Sequence, residues 1–376
     1  MRRSLLLVLM FALCLPGFAV GAQETDVIAD GLNNPRGLFY DASGALWITE
    51  AGTGGDLSAD TDLGPVSYGG TAQVLRVEPG TAGAAPVLGG FPSAQGFDDI
   101  IGVNSIYVDA DALWLTTGLG PLADPFSESL IQFNLDTLRI DQIIDLYAYE
   151  ETNNPDEDFV VSNPHDIAVG DDGTLYIIDA SGNDLLTWTP DAGLQLFHAW
   201  LDLPVPTAVD IAPDGSIYVG FLSAFPFEQG SARIEQWSPD GELVATYDGL
   251  TGVTDVLVAN DGTLYAVQLA SGYGDLGWIA ESGSVVIVSD AGVEPLADGL
   301  NFPYRLAQSP DGGLAVTVNS AFSPPGSGQV IKLTGEMPTL SIEALAPAQT
   351  PEPPAETPEP PASTPEPPAG TPEVSG

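Results

Sequence analysis

Cysteine occurs once in 376 residues, at position 14, and histidine only twice. Once the leader described below is cleaved no thiol is left, so disulfide staples and thiolate-held metals are excluded. Stability must then come from packing. Bases are nearly as scarce, with 8 Lys and Arg against 52 Asp and Glu and a formal charge of −44. Nucleic acids and anionic membrane surfaces are bound through basic patches, which this balance cannot build. Long apolar runs are missing after the first 22 residues, so no transmembrane anchor is expected once the leader is gone. Also missing are a Gly-x-Ser-x-Gly elbow, a zincin histidine pair and a phosphate-cradling glycine loop.

Both ends carry their own signals. Arg2 and Arg3 form a basic n-region, Leu5 to Leu15 an apolar run, and Val20-Gly21-Ala22 a small-residue cleavage site. Residues 1–22 therefore read as a signal peptide and the product as secreted, extracellular or periplasmic. Cys14 follows Leu13 rather than a small residue, which does not suit a lipoprotein signal. At the other end Thr-Pro-Glu-Pro-Pro-Ala starts at 350, 357 and 364. Such a tract has too little apolar surface to offset chain entropy, so 344–376 is expected to be a disordered Pro/Glu/Thr-rich tail.

Between the tails, residues 23–343 repeat one pattern six times. A short apolar strand leads to a turn, an aromatic-rich strand, a loop, and one or two outer alternating strands. The turns are Asp41–Gly44, Asp109–Ala112, Asp171–Gly173, Pro213–Gly215, Asn260–Gly262 and Pro310–Gly312, and all but the second carry glycine. After them come Leu46-Trp47-Ile48, Leu113-Trp114-Leu115, Leu175-Tyr176-Ile177, Ile217-Tyr218-Val219, Leu264-Tyr265-Ala266 and Leu314-Ala315-Val316. Short strands in such repeats predict an all-β, six-bladed β-propeller. Ala29-Asp30-Gly31-Leu32-Asn33-Asn34-Pro35 returns as Ala297-Asp298-Gly299-Leu300-Asn301-Phe302-Pro303. The last repeat lacks its fourth strand, and Val27–Asp30 is expected to supply it and close the ring. The long insertions, Ala51–Thr71, Gly118–Ser129, Leu222–Ser231, Leu269–Gly283 and Ser320–Ser327, fall on one face, around the channel mouth. Loops held on a rigid scaffold are where function concentrates.

Aligning the innermost strands puts Arg36, Asn104, His165, Thr207, Thr254 and Tyr304 in one column. The next holds Gly37, Ser105, Asp166, Ala208, Asp255 and Arg305. Arg36, Ser105, His165 and Arg305 are the candidate ligand-binding residues at the mouth, with His165 the better placed general base. Glu50, Asp166, Asp179 and Asp255 are candidates for a carboxylate ring around a divalent cation such as calcium, which prefers oxygen ligands. The bland alternative is that these groups satisfy one another around a narrow channel. His198, in Phe197-His198-Ala199, reads as structural. The run Glu150, Glu151, Asp156, Glu157, Asp158 reads as a solvated charge cluster, with a cation-dependent clamp over the mouth as the alternative.

Several phrases together resemble the ScyD/ScyE family. They are Gly31-Leu32-Asn33-Asn34-Pro35-Arg36-Gly37-Leu38, Leu46–Gly52, Asn153-Asn154-Pro155, Ser162-Asn163-Pro164, Gly182–Leu186, and Phe225-Pro226-Phe227 followed by Gly230–Arg233. The resemblance covers roughly 25–335 and implies an exported propeller, with no catalytic residues to carry over. The function this implies is a ligand- or partner-binding, or assembly, protein that uses the long-loop face to hold a small molecule or protein. The chain is expected to act as a monomer. The alternative is a metal-dependent hydrolase or lactonase resembling gluconolactonase-type propellers, with the four carboxylates as ligands and Arg36 or Arg305 orienting substrate. The Glu-Gly-Pro ligand motif usual in that family is replaced here by Asn34-Pro35-Arg36-Gly37.

Overall fold

The computed structural model describes residues 24–334, apart from 62–63, 82, 97–98 and 122. The signal peptide and the Pro-rich tail expected from the sequence lie outside the described residues.

The turn chemistry sets the strands. Asp41 Oδ1 accepts the N–H groups of Ser43 at 2.8 Å and Ala45 at 3.0 Å, and Gly44 takes φ +81°, closing a tight hairpin. The second turn lacks glycine and leans on its aspartate alone, with Asp109 Oδ1 accepting from Asp111 and Ala112. The strands between such turns assemble into six antiparallel sheets. Their first strands are Pro35–Tyr40, Val103–Val108, Pro164–Val169, Pro206–Ile211, Val253–Val258 and Leu306–Gln308. Each first strand lies beside the first strand of the next sheet, and the sixth lies beside the first. This is a β-propeller arrangement. The core is correspondingly divided into apolar seams between sheets. Trp47, Phe91 and Leu113 join the first and second, and Trp200, Phe221 and Trp237 join the third and fourth.

In the sixth sheet the outermost strand is Glu24–Leu32, paired antiparallel to Gly328–Thr334. The repeated phrase marks the exit from an outermost strand. Leu32 pairs with Gly328, and Leu300 with Gly283. A Cβ at Gly328 would stand 2.4 Å from Pro35 Cδ, and one at Gly283 2.2 Å from Pro303 Cδ, so each proline needs a glycine opposite it. Asn33 Oδ1 accepts Gly326 N–H at 3.0 Å, and Asn301 Oδ1 accepts Glu281 N–H at 2.9 Å. The two copies are the same joint built twice, once across the chain ends.

Two long insertions and the segment leading into the third sheet hold more structure than expected. Ala51–Thr71 contains the strand Leu57–Thr61, paired to an extension of Gly64–Val77. Leu269–Gly283 holds a small hairpin, Tyr273–Gly274 with Gly277–Trp278. A helix, Leu146–Asn153, opens the segment that leads into the third sheet. Asp145 caps it by accepting Ala148 N–H at 2.9 Å, and Asn154 ends it in the left-handed region.

Candidate functional site

The inner strands do not run straight at the mouth. The register slips by one residue between Pro35 and Leu38, Val103 and Ser105, Pro164 and Asp166, Pro206 and Ala208, and Val253 and Asp255. In four of these the extra residue is the predicted column itself: Asn104, His165, Thr207 and Thr254. In the sixth sheet Thr317 bonds both Tyr304 N–H and Arg305 C=O. A bulge re-aims the side chain it carries, which brings this column together at the axis. Hydroxyls of the second strands cap the freed N–H groups: Thr49 for Gly37, Thr116 for Ser105 and Thr317 for Arg305.

The bulged residues form one layer. Asn104 Nδ2 donates to Pro164 C=O at 2.9 Å, and Thr207 Oγ1 to Val253 C=O at 2.7 Å, each reaching the next sheet. His165 Nδ1 lies 2.6 Å from Thr207 C=O and Nε2 2.7 Å from Tyr304 Oη. A carbonyl can only accept, so Nδ1 carries the proton and Nε2 accepts from the Tyr304 hydroxyl. Burial, with Arg305 nearby, pushes His165 down to about 3, so the ring is neutral with its free lone pair already occupied. The Arg36 guanidinium lies over the Tyr304 ring, 4.1 Å from its centroid. Its Nη2 meets both Asp99 oxygens at 2.8 and 2.9 Å and Ile100 C=O at 2.9 Å. Its Nε and Nη1 are buried without a hydrogen-bond partner. Burial opposes its charge, but Asp99 and the Tyr304 oxygen outweigh that and hold it protonated.

A second layer lies below. Arg305 Nη1 bridges Asp166 Oδ2 at 2.5 Å and Asp255 Oδ1 at 2.8 Å. Asp166 also accepts from Ser105 Oγ, Ile167 N–H and Val209 N–H, and Asp255 from Leu306 N–H. One guanidinium faces two buried carboxylates, so burial and the neighbouring Asp166 charge lift Asp255 above the usual carboxylate range despite Arg305. Asp210, which sequence reasoning passed over, binds Val258 and Ile211 N–H groups from this side, and burial pushes it up to about 7.

Of the sequence-predicted site residues, Ser105, Asp166, Asp255 and Arg305 come together in this lower layer, while Arg36 and His165 meet through Tyr304 above it. Glu50 and Asp179 stay in their own sheets. Glu50 accepts from Asn33 N–H at 2.8 Å and Gln73 Nε2 at 2.6 Å. Asp179 accepts from Ser162 Oγ and the N–H groups of Asn163, Ser181 and Gly182. Among the described residues no three His, Cys, Asp or Glu side chains stand together as a metal-holding group. His198 packs against Trp237, 4.3 Å between ring centroids.

The layers separate two cavities. The one on the long-loop side, about 170 Å³, has Arg36, Asn104, His165, Thr207, Thr254 and Tyr304 on its polar side. Its apolar lining includes Ile100, Val205, Leu222, Leu269, Trp278 and Phe322. Trp278 belongs to an aromatic cluster with Phe225, Phe227 and Tyr273, in which Phe225 is 74% exposed. The other cavity, about 270 Å³, reaches Asp166, Asp210, Asp255 and Arg305 from the opposite side. Asp99 and Trp278 were invisible as site residues because a short extra strand of the first sheet, Asp99–Ile101, and the Leu269–Gly283 insertion deliver them.

No family model matches this chain, and no curated protein matches it. Solved structures do resemble it in fold. A proposed oxidoreductase (glucose dehydrogenase) from Thermus thermophilus aligns with a TM-score of 0.56 at 14% identity, over 83% of this chain and 100% of that one. A structural-genomics protein of unknown function from Bacteroides thetaiotaomicron aligns at 0.52 and 11%, over 83% and 75%. A streptogramin B lyase aligns at 0.49 and 12%, over 83% and 97%. At these identities the first two likenesses concern the fold alone.

Proposed function

We propose that this chain is an exported, six-bladed propeller of ScyD/ScyE type, closed by its N-terminal strand, whose long-loop mouth binds a small molecule. The observation that carries this reading is the mouth cavity, with a hydrogen-bonding layer on one side and an apolar, aromatic lining on the other. Arg36 is neutralised one-to-one by Asp99, and the whole chain carries a charge of −44. Both disfavour an anion. The fitting ligand is a small uncharged molecule with an apolar or aromatic body and one hydroxyl or carbonyl oxygen for the polar side. The exposed aromatic cluster extends the same surface toward solvent.

A binding role is favoured over a metal hydrolase because Asp166 and Asp255 both turn to Arg305 and the His165 lone pair is taken by Tyr304. A thermal-shift panel of small phenols and aryl ketones against the matching carboxylates tests the reading. Neutral members are expected to raise the melting temperature of the wild type and not of Trp278→Ala. Stabilisation by the carboxylates alone, or by none of the panel, would overturn it.

A further inference from the structure

The acidic segment after the second sheet is not uniformly solvated. Glu151, Glu157 and Asp158 are exposed, but Glu150 and Asp156 are 1% and 4% exposed. The helix explains Glu150: Leu146 and Glu150 are four apart, so they share the helix face turned inward. Leu146 enters the apolar seam between the second and third sheets. Glu150 instead meets the turn Ala180–Asn183, bracketed by Asp179 and Asp184, which are 2% and 1% exposed. A Cβ at Gly182 would stand 3.2 Å from Asp179 Cγ and 3.4 Å from Glu150 Oε2, so both carboxylates flank this glycine.

Four carboxylates thus share one buried corner, and they are not equally provided for. Asp179 accepts from four donors, and Asp156 from Asn183 Nδ2 and Asp158 N–H, both at 3.0 Å. Glu150 Oε1 and Asp184 Oδ1 are buried with no hydrogen-bond partner. None of the ion pairs among the described residues brings Lys or Arg to any of the four. A buried carboxylate without a donor or counter-charge is either protonated or bound to a cation.

We infer that Glu150 and Asp184, with Asp156 and Asp179 beside them, form a binding site for a calcium ion that locks the helix Leu146–Asn153 onto the third sheet. The donor set is all oxygen, which suits a hard divalent cation, and water can complete its shell. The four carboxylates are not gathered at coordinating distance beforehand, so binding draws the Glu150 and Asp184 side chains inward. Burial and the mutual repulsion of these groups push Glu150 up to about 8 and Asp184 well above the ordinary range. None of the four carboxylates lines the mouth cavity, which touches this turn only at Ala180, so either assignment can fail without the other.

The test is calorimetric titration of calcium chloride into the chelator-treated, purified full chain at physiological salt, which screens diffuse binding to the acidic surface. One saturable ion per chain is expected. Affinity should fall at least about tenfold in Glu150→Gln and Asp184→Asn, and stay unchanged in the control Asp56→Asn. Should a variant fail to fold, terbium luminescence on the wild type decides: Tyr149, which faces Glu150 and Asp184 electrostatically, should sensitise the bound ion. Tyr149→Phe should then dim the emission without weakening calcium competition. Absence of a saturable site at millimolar calcium, equal binding in the Glu150 and Asp184 variants, or emission that ignores Tyr149 would overturn the assignment.

Discussion

Arg305→Met should destabilise the fold more at pH 10 than at pH 5. The guanidinium is 4% exposed and is the only cation paired to Asp166 or Asp255 among the described ion pairs. Removing one side of a buried pair strands the other and costs about 3–5 kcal/mol. For a domain of this size that is a drop on the order of 10 °C in melting temperature. The sign with pH follows from the Asp255 carboxyl, whose folded pKa lies above its unfolded value. Between those two values the native state keeps a proton that the unfolded chain has released, so stability falls as pH rises. Losing Arg305 moves the upper limit of that window higher, which deepens the loss at pH 10, above the wild-type limit, and spares pH 5. Urea unfolding of both proteins at the two pH values measures it. Adding Asp255→Asn to Arg305→Met should remove most of the pH dependence. A loss below about 1 kcal/mol, or the same loss at both pH values, would refute the view that the lower layer is a charge-balanced plug.

Other expectations follow from single contacts. His165 should stay neutral, protonated on Nδ1, down to about pH 4, as read from its ¹⁵N shifts; its folded pKa is depressed to about 3, so its stabilising share is present above the unfolded value and lost as pH falls. Tyr304→Phe removes the donor to Nε2, should cost about 1–3 kcal/mol, and should raise the His165 pKa no further than the unfolded range. Gly328→Ala would press a Cβ against Pro35 Cδ from 2.4 Å away and should cost about 1–3 kcal/mol in melting experiments. Without calcium, stability should decline as pH climbs from about 5 to 8, because Glu150 is pushed up to about 8.

The repeats were legible because each carries its own local signals. An Asp-Gly turn, an alternating strand and a Leu-Asn-x-Pro joint are all short-range, and the six sheets follow them. The mouth columns were legible for the same reason, since Arg36, His165 and Tyr304 hold one place in the repeat. The bulge that aims them was not, because it depends on hydroxyls such as Thr49 and Thr116 on the neighbouring strand. Burial of Glu150 escaped notice because a single helical turn fixes it, in a segment whose composition reads as loop. Asp99 and Trp278 reach the cavity from an extra strand of the first sheet and from an insertion, neither with a counterpart in other repeats. Charge pairing was the hardest to read: Asp166 and Asp255 look like cation ligands until Arg305, some fifty residues beyond Asp255, is placed between them.

A crystal structure of the protein soaked with a small phenol tests the central claim most directly. Density between Trp278 and the Tyr304–Arg36 layer, absent from crystals of Trp278→Ala, is the predicted result. An empty mouth cavity beside well-ordered long loops, or the phenol bound only in the cavity on the opposite side, would contradict it.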